Sequence, residues 1–141
     1  MKKVFSNILL STSLLLLGSF KAEKKTILTV EVNNFKSDGS SKIYVSVFYE
    51  KGFLEKSIQT KSIAATGNKA VVSFELPPGD YAVSTYHDIN KNNKLDRYFF
   101  GKPKEPYGFS NNIKPFGPPS YQDCKITIGQ SAKTIKISLL N

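Results

Sequence analysis

Apolar and polar residues alternate along most of the chain after residue 25, as in 28–32, 45–49, 72–76, 126–128 and 135–139. This period of two is typical of β-strands that bury one face. No segment shows the three-to-four-residue spacing of an amphipathic helix. The pattern predicts an all-β protein, an antiparallel β-sandwich of about seven strands similar to immunoglobulin or prealbumin domains.

Two short segments rich in turn-forming residues separate pairs of these strands. Pro77–Asp80 contains two prolines that cannot donate to a central ladder and a glycine that permits positive φ, so it predicts a hairpin between 72–76 and 81–87. Gly129–Ser131 predicts a second hairpin between the last two strands. The segment 57–69 fits either a short strand or a loop.

The segment His87–Asp96 places oxygen-bearing side chains at alternate positions of a tight loop. A calcium loop supplies side chains at positions 1, 3, 5 and 9 and a backbone carbonyl at position 7. The matching residues are Asp88, Asn90, Asn92, Asp96 and the carbonyl of Lys94. Asn93 replaces the usual glycine but tolerates a left-handed turn, whereas Phe99 replaces the final glutamate, so an EF-hand is not expected.

Calcium is therefore the predicted cofactor of residues 88–96, and an asparagine-rich turn without metal is the alternative. Only Asp88 and Asp96 carry formal charge in this loop. Two carboxylates favour a weak affinity, with a Kd on the order of 10⁻⁴ M or weaker.

Residues 101–122 lose the alternation and contain five prolines and several aromatic residues. A connection this long is usually functional or disordered, and its aromatic content predicts an ordered loop packed over the cation segment. Its aromatic side chains fit either a satellite core or a ligand-binding surface for a sugar or peptide. They are Tyr107, Phe109, Phe116 and Tyr121.

The N-terminus has the pattern of an export signal. Lys2 and Lys3 precede an apolar stretch at 4–17, and small residues follow. Residues 1–22 are predicted to be a signal peptide cut between Ser19 and Glu23, leaving 23–141 as one periplasmic or secreted domain. A retained membrane anchor is the alternative, but the uninterrupted apolar run 14–17 is much shorter than a membrane span. No second apolar segment follows, so no transmembrane span is expected after signal removal.

The 141-residue chain has a formal net charge of +9. Its lysines are scattered, and several alternate with apolar residues along predicted strands, as Lys125, Lys133 and Lys136 do. That distribution is typical of a solvated sheet face, so nucleic-acid binding is not expected.

Cys124 and His87 are the single cysteine and the single histidine of the chain. One cysteine excludes an intrachain disulfide, and the alternation of Cys124 with Ile126 and Ile128 predicts a buried strand residue. His87 is interpreted as a hydrogen-bonding residue that orients Asp88 or the long loop, or as an ordinary packed side chain. A hydrolase triad of His87, Ser110 and Asp88 can be written, but the sequence around Ser110 does not resemble a nucleophile elbow. A zinc site is not expected, because one histidine and one distant cysteine do not provide a tetrahedral set of nitrogen and sulfur ligands.

Several motifs occur in a fixed order: Leu76-Pro-Pro-Gly-Asp-Tyr-Ala-Val, His87-Asp-x-Asn-x-Asn-x-x-Leu-Asp96, Gly101-x-Pro-x-Glu-x-Tyr-Gly-Phe-Ser110-Asn-Asn and Phe116-Gly-Pro-Pro-Ser-Tyr. Together they closely resemble an exported bacterial family known as domain of unknown function 2141. The resemblance spans nearly all of 23–141, although this family usually has glycine at the position of Asn93. It implies a small secreted or periplasmic β-sandwich, similar to transthyretin-like and carboxypeptidase-regulatory domains, with no established activity.

Glu105 lies in the third motif, and the resemblance suggests it as a further oxygen donor to the cation. A surface charge paired with a lysine is the alternative. The leading hypothesis is an exported, non-catalytic domain that binds calcium and recognises an envelope or extracellular ligand of unknown identity. The alternatives are a small secreted hydrolase using His87 and a purely structural domain without metal. The oligomeric state is left open.

Overall fold

The computed structural model describes residues 22–141. The predicted signal peptide, apart from Ala22, lies outside these residues. The described part is almost entirely β, with eight strands, one 3-10 turn at Ser110–Asn112 and one short helix, α1, at Tyr121–Cys124. The strands are β1 Thr26–Asn33, β2 Lys42–Phe48, β3 Gln59–Ala64, β4 Lys69–Leu76, β5 Gly79–Asp88, β6 Tyr107–Phe109, β7 Ile126–Ile128 and β8 Lys133–Ser138.

Two sheets share one core, which confirms the predicted all-β sandwich. One sheet has the order β4-β1-β8, and the other has the order β3-β2-β5-β6, with β7 paired to the first residues of β5. The strand pairs are antiparallel except β1 with β8, which run parallel with Leu28 opposite Lys133. The core is built from the inward positions of the alternating segments. Its fully enclosed side chains include Leu28, Val30, Val32, Ile43, Val45, Val47, Phe74 and Val83.

The hairpin predicted at Pro77–Asp80 is wrong. Strand β4 pairs with β1, with Thr26 opposite Leu76, whereas β5 pairs with β2. The two prolines thus carry the chain from one sheet to the other, and the Tyr81 hydroxyl fixes this crossing by donating to the carbonyl of Pro77 at 2.7 Å. A segment without N–H donors ends a ladder equally well at a sheet change and at a hairpin.

The final hairpin is also wrong, because β7 pairs with β5 and β8 pairs with β1. Gly129–Ser131 therefore joins strands of different sheets. Cys124 is fully buried as predicted, but it ends α1 rather than occupying a strand. Burial raises the pKa of its thiol to about 11. The ambiguous segment 57–69 contains the exposed strand β3.

Side chains cover both edges of the three-stranded sheet. At the β4 edge, Lys61 Nζ of β3 donates to the carbonyl of Ser73 at 2.6 Å. At the β8 edge, the Asn112 amide donates to the carbonyl of Lys136 at 2.9 Å and accepts from the N–H of Ser138 at 2.8 Å. Asn112 therefore takes the place of a neighbouring strand and satisfies groups that would otherwise invite pairing with another chain.

Gly108 lies where β6 passes close to β8. A Cβ atom at this position would lie 2.7 Å from Ile137 Cγ2 and 3.2 Å from the Ser138 carbonyl oxygen. We expect Gly108→Ala to lower the free energy of unfolding by about 1–3 kcal/mol, the usual cost of overpacking. Urea denaturation measures this change. Gly129→Ala is the matched control, because a Cβ there meets nothing within 4 Å. Equal stability of the two variants would contradict the close approach of β6 and β8.

Candidate cation loop and outer-face groove

The loop 89–96 continues directly from β5, whose last residue is Asp88. Asp88 is only 1% exposed, and its carboxylate accepts from the backbone N–H of Asn92 at 3.2 Å and of Asn93 at 2.9 Å. Asn93 has a φ of 60°, so the left-handed turn predicted for it is present. The Tyr44 hydroxyl donates to Asn93 Oδ1 at 2.7 Å and ties the turn to β2. A rigid strand end thus holds one side of the loop.

Asp96 closes the loop on its other side. The amide nitrogens of Asn90 and Asn92 donate to Asp96 Oδ2 at 2.6 and 2.8 Å. These hydrogen bonds hold the pKa of Asp96 below its usual value. The Lys94 N–H donates to Asn92 Oδ1 at 2.9 Å. The predicted ligand residues from Asp88 to Asp96 therefore form one closed loop, in which amide N–H groups face the Asp96 carboxylate.

Glu105 lies beneath this loop and is only 7% exposed. Its Oε2 accepts from the Asp96 N–H at 3.3 Å, whereas its buried Oε1 has no hydrogen-bond partner. Burial raises the pKa of Glu105, and the negative charges of Asp88 and Asp96 raise it further, whereas the backbone N–H groups of Asp96 and Ile89 partly oppose this shift. Within residues 22–141 the carboxylate forms no ion pair with a lysine, which was the alternative role. A buried carboxylate without a partner for one oxygen is unfavourable unless it is neutralised.

A compact cluster of acidic ligands is not formed. Among residues 22–141, no three His, Cys, Asp or Glu side chains form a group that could hold a metal ion. Asp88 and Asp96 are engaged with backbone N–H groups and amides, as described above. Calcium also accepts amide and backbone carbonyl oxygens, so the donors that fit it here are those of the loop together with Glu105 Oε1.

The His87 side chain points into the core instead of toward Asp88. Its Nε2 lies 2.6 Å from Ser41 Oγ, and the Ser41 hydroxyl donates to Asp38 Oδ1 at 2.7 Å. Because an ionised carboxylate only accepts, the Ser41 hydrogen is committed to Asp38 and His87 Nε2–H must be the donor to Ser41. His87 Nδ1 is buried without a partner. The backbone N–H of His87 does contact the long loop, donating to the Pro106 carbonyl at 2.9 Å.

Ser110 lies in a different hydrogen-bond network from His87. Its hydroxyl accepts from the Val83 N–H at 3.0 Å and donates to the Cys124 carbonyl. Asn111 extends this contact by donating to the carbonyl of Lys125 at 3.0 Å. The triad of His87, Ser110 and Asp88 is therefore not formed. Ser110 and Asn111 instead fasten the long loop to β5 and α1, a role that the sequence analysis missed.

An open groove lies on the outer face of the five-stranded sheet, and we call it the outer-face groove. It has a cavity volume of about 870 Å³. Its floor includes Ser46, Ser84 and Tyr86, one wall is the segment 95–103 that follows the cation loop, and the other wall is the proline-rich segment 115–119. The long loop was predicted to pack over the cation segment, whereas the structure leaves a cleft between 95–103 and 115–119.

The four aromatic residues proposed as a ligand surface are divided between two environments. Phe109 and Tyr121 are buried in a second cluster with Ala82 and Cys124, and Phe109 also lines the groove from beneath. Tyr107 packs at the margin of this cluster and also lines the groove, and Phe116 is fully exposed at the groove wall. The satellite-core interpretation fits the first two residues, and a contact surface remains available at the other two.

Further aromatic residues near the groove were missed by the sequence analysis. Tyr98, Phe99 and Phe100 are all exposed, and Phe100 lines the groove. Tyr86 in the floor stacks on Tyr44 with ring centroids 5.0 Å apart. The sequence does contain an indication of this surface. Residues 98–100 are three consecutive aromatic residues that follow a polar loop and lie outside any predicted strand, so burial on a strand face does not explain them.

A family profile described as an uncharacterized protein conserved in bacteria, DUF2141, matches residues 30–136. The chain belongs to the DUF2141 family. The resemblance inferred from the motifs is therefore confirmed. No curated protein and no solved structure matches the chain. Within residues 22–141, this DUF2141 protein has no helix that is both long and apolar enough to cross a membrane.

The buried His87 predicts a pH dependence of stability. Burial lowers the pKa of His87, although Asp38 and Asp88 oppose the shift. Below its usual pKa of about 6.5 the unfolded chain takes up a proton that the folded protein resists. Stability therefore falls as the pH drops through 6.5, by up to about 1.4 kcal/mol per pH unit, until the lower folded pKa is reached.

Urea denaturation between pH 7.5 and 5.5 measures this loss in the DUF2141 protein. We expect His87→Gln, which keeps a donor toward Ser41 but does not titrate, to have a flatter profile over the same range. Both proteins contain Glu105, so its opposing titration cancels in the comparison. Identical pH profiles would show that His87 is not the buried neutral group described above.

Proposed function

We propose that this DUF2141 protein is an exported, non-catalytic β-sandwich that binds calcium at loop 88–96 and recognises an envelope or extracellular ligand through the adjoining outer face. The observation that carries the calcium proposal is the unpartnered, buried Oε1 of Glu105 beside Asp88 and Asp96. Buried polar oxygens are nearly always paired. A divalent cation would supply the missing partner, and the carboxylates of Asp88, Asp96 and Glu105, which form no preassembled metal-binding group among residues 22–141, would have to close around it.

The loop offers the ligand types that calcium prefers. Asp88, Asp96 and Glu105 provide carboxylate oxygens, and Asn90 and Asn92 provide amide oxygens. Two amide N–H groups now donate to Asp96 Oδ2, where they place partial positive charge. Half-turns of these amides about their Cβ–Cγ bonds would present oxygen instead of nitrogen. Calcium binding would therefore exchange these amide donors for the ion and would break the hydrogen bonds that Asn90 Oδ1 and Asn92 Oδ1 accept from the N–H groups of Asn92 and Lys94.

The same ion would order one wall of the outer-face groove. Lys104 directly follows the wall segment 95–103, and its N–H donates at 2.8 Å to the carbonyl of Asp96, near the start of the segment. Glu105 follows at once and also contacts the Asp96 N–H. Both ends of the wall segment thus lie close to the proposed ion site. The free energy of calcium binding would therefore add to the folding free energy of this end of the domain.

A non-catalytic role is supported by the enclosed positions of the residues that hydrolysis would need. His87 is 2% exposed, Ser110 is fully buried, and they belong to separate networks. A hydrolase requires a base and a nucleophile that face one substrate in a pocket. The export signal at 1–22 supports a periplasmic or secreted location as part of this proposal.

A thermal melt with and without calcium tests the ion site. At calcium about a hundredfold above the Kd, stabilisation is about 2.7 kcal/mol, which raises Tm on the order of 10 °C for a domain of this size. Glu105→Gln should abolish most of this shift. The same variant should melt higher than the wild type in chelator, because it removes a buried charge whose pKa is raised.

Glu55→Gln is the matched control, since Glu55 is exposed and lies on a turn away from the loop. It should retain the full calcium shift and the wild-type Tm in chelator. A wild-type Tm that does not respond to calcium would eliminate the cation and favour the purely structural domain. An equal shift in wild type and Glu105→Gln would place the ion elsewhere.

A further inference from the structure

The outer-face groove has an unusual balance of side chains. Most of its lining is aromatic, aliphatic or proline, including Phe48, Leu54, Leu95 and Phe100. No aspartate, glutamate, asparagine or glutamine occurs among the described residues that line it. The volume of about 870 Å³ lies within the usual range for small-molecule sites, roughly 300–1,000 Å³. The groove is therefore large enough for an organic ligand, and its mostly apolar lining has no acidic or amide side chain.

The charges at the groove have one sign. Arg97 and Lys102 are its two charged lining residues, and both lie on the 95–103 wall. Arg97 Nη1 donates to the Gly101 carbonyl at 3.0 Å, which fixes the guanidinium and leaves its other N–H groups free for a ligand. A fixed guanidinium matches the geometry of a carboxylate. The complementary ligand therefore carries an anionic group at the end of an apolar body.

The remaining polar groups disfavour sugars and peptides. Beyond Arg97 and Lys102, the polar side chains that line the groove carry hydroxyl groups: Ser46, Ser84, Thr85, Tyr86 and Tyr107. A sugar needs several hydrogen bonds, yet the Ser46 hydroxyl is already paired with Thr60 at 2.7 Å and no carboxylate or amide side chain lines the groove. A peptide would need donors for its carbonyls, and the prolines of the 115–119 wall have no N–H. The floor is a sheet face, whose backbone groups are paired with neighbouring strands, so β-augmentation is not possible there.

We propose that the outer-face groove binds a single-chain fatty acid, with its carboxylate at Arg97 and its alkyl chain along Tyr86 and the proline-rich wall. An alkyl chain gains from burial against aromatic and proline surfaces and requires no hydrogen bonds. This inference rests on the proposed function, because it names the ligand class of the recognition surface. It does not require that calcium be bound.

Isothermal titration of the delipidated protein with dodecanoate, in chelator, tests the groove. Dodecanoate should bind the wild type with one-to-one stoichiometry. Ser84→Trp should abolish binding, because the half-buried Ser84 faces the groove floor and a large ring would fill it. Phe116→Ser provides a second variant at a fully exposed position, where the fold is not at risk, and should weaken binding.

The carboxylate contact is tested by pairing variants with ligands. Arg97→Gln should weaken dodecanoate binding about tenfold, the usual effect of losing a charge-assisted hydrogen bond, and should leave the binding of 1-dodecanol unchanged. Lys136→Gln, on the β8 strand of the other sheet, is the matched control and should change neither affinity.

Absence of dodecanoate binding to the wild type would overturn the proposal, as would binding that is unaffected by both Ser84→Trp and Phe116→Ser. Preferential binding of maltohexaose or of an apolar hexapeptide would assign the groove to another ligand class and would also overturn it. The thermal melt with calcium tests the ion site independently of ligand binding in the groove. Loss of the calcium shift with intact dodecanoate binding refutes only the ion site, and the converse refutes only the fatty-acid groove.

Discussion

The hydrogen-bonded register of β5 positions both parts of the candidate site. β5 pairs with β2 over residues 82–88, with His87 opposite Ile43 and Asp88 opposite Lys42, and it also pairs with β6 and β7. Successive side chains of a strand point to opposite faces, so this register sends His87 into the core and Asp88 to the outer side. A shift by one residue would exchange the two faces and place a carboxylate in the core.

The long loop covers the part of the outer face of β5 that contains Ala82. Ala82 of β5 lies in a buried cluster with three residues of the segment 107–124, namely Phe109, Tyr121 and Cys124. These residues form little regular structure, so side chains supply the hydrogen bonds that a ladder would otherwise provide. The consecutive residues Ser110–Asn112 contact β5, the region around α1 and the β8 edge in turn. The long loop is therefore a fixed layer, and the groove between it and the cation loop has a defined shape.

The sequence predicted the features that depend on neighbouring residues. Alternation identified the strands and their buried faces, and the Asn93 turn followed from one residue type. Strand partners were not predictable, because alternation defines a face and does not say which strand lies beside it. Pro77–Asp80 and Gly129–Ser131 were assigned to hairpins for this reason, and both instead connect different sheets. Whether a turn joins two paired strands or strands of different sheets depends on packing among strands far apart in the chain.

The candidate site was predictable to the same extent: features formed by consecutive residues were predicted, and contacts between distant residues were not. The loop 88–96 was predictable because its residues are consecutive, whereas the partner of His87 is Ser41, 46 positions away. The groove could not be predicted either, because it forms between two loops that only the folded sheet brings together. The isolation of Glu105 Oε1 is a three-dimensional property too, since the sequence shows an ordinary charged residue among lysines and prolines.

Without a bound ion, the buried position of Glu105 lowers the stability of the fold. This loss of stability is the reason for proposing that Glu105 binds a cation. Burial and two nearby aspartates raise the pKa of Glu105, so ionisation of this carboxyl group opposes folding of the loop. An amide at this position would keep the hydrogen bond to Asp96 without the charge. Residues that lower stability in this way are characteristic of sites where a partner restores it. Under the calcium proposal, an ion would stabilise the loop and the adjoining 95–103 wall, whose internal hydrogen bonds are already formed. The same carboxylate that weakens the fold would thereby couple the ion to the shape of the groove.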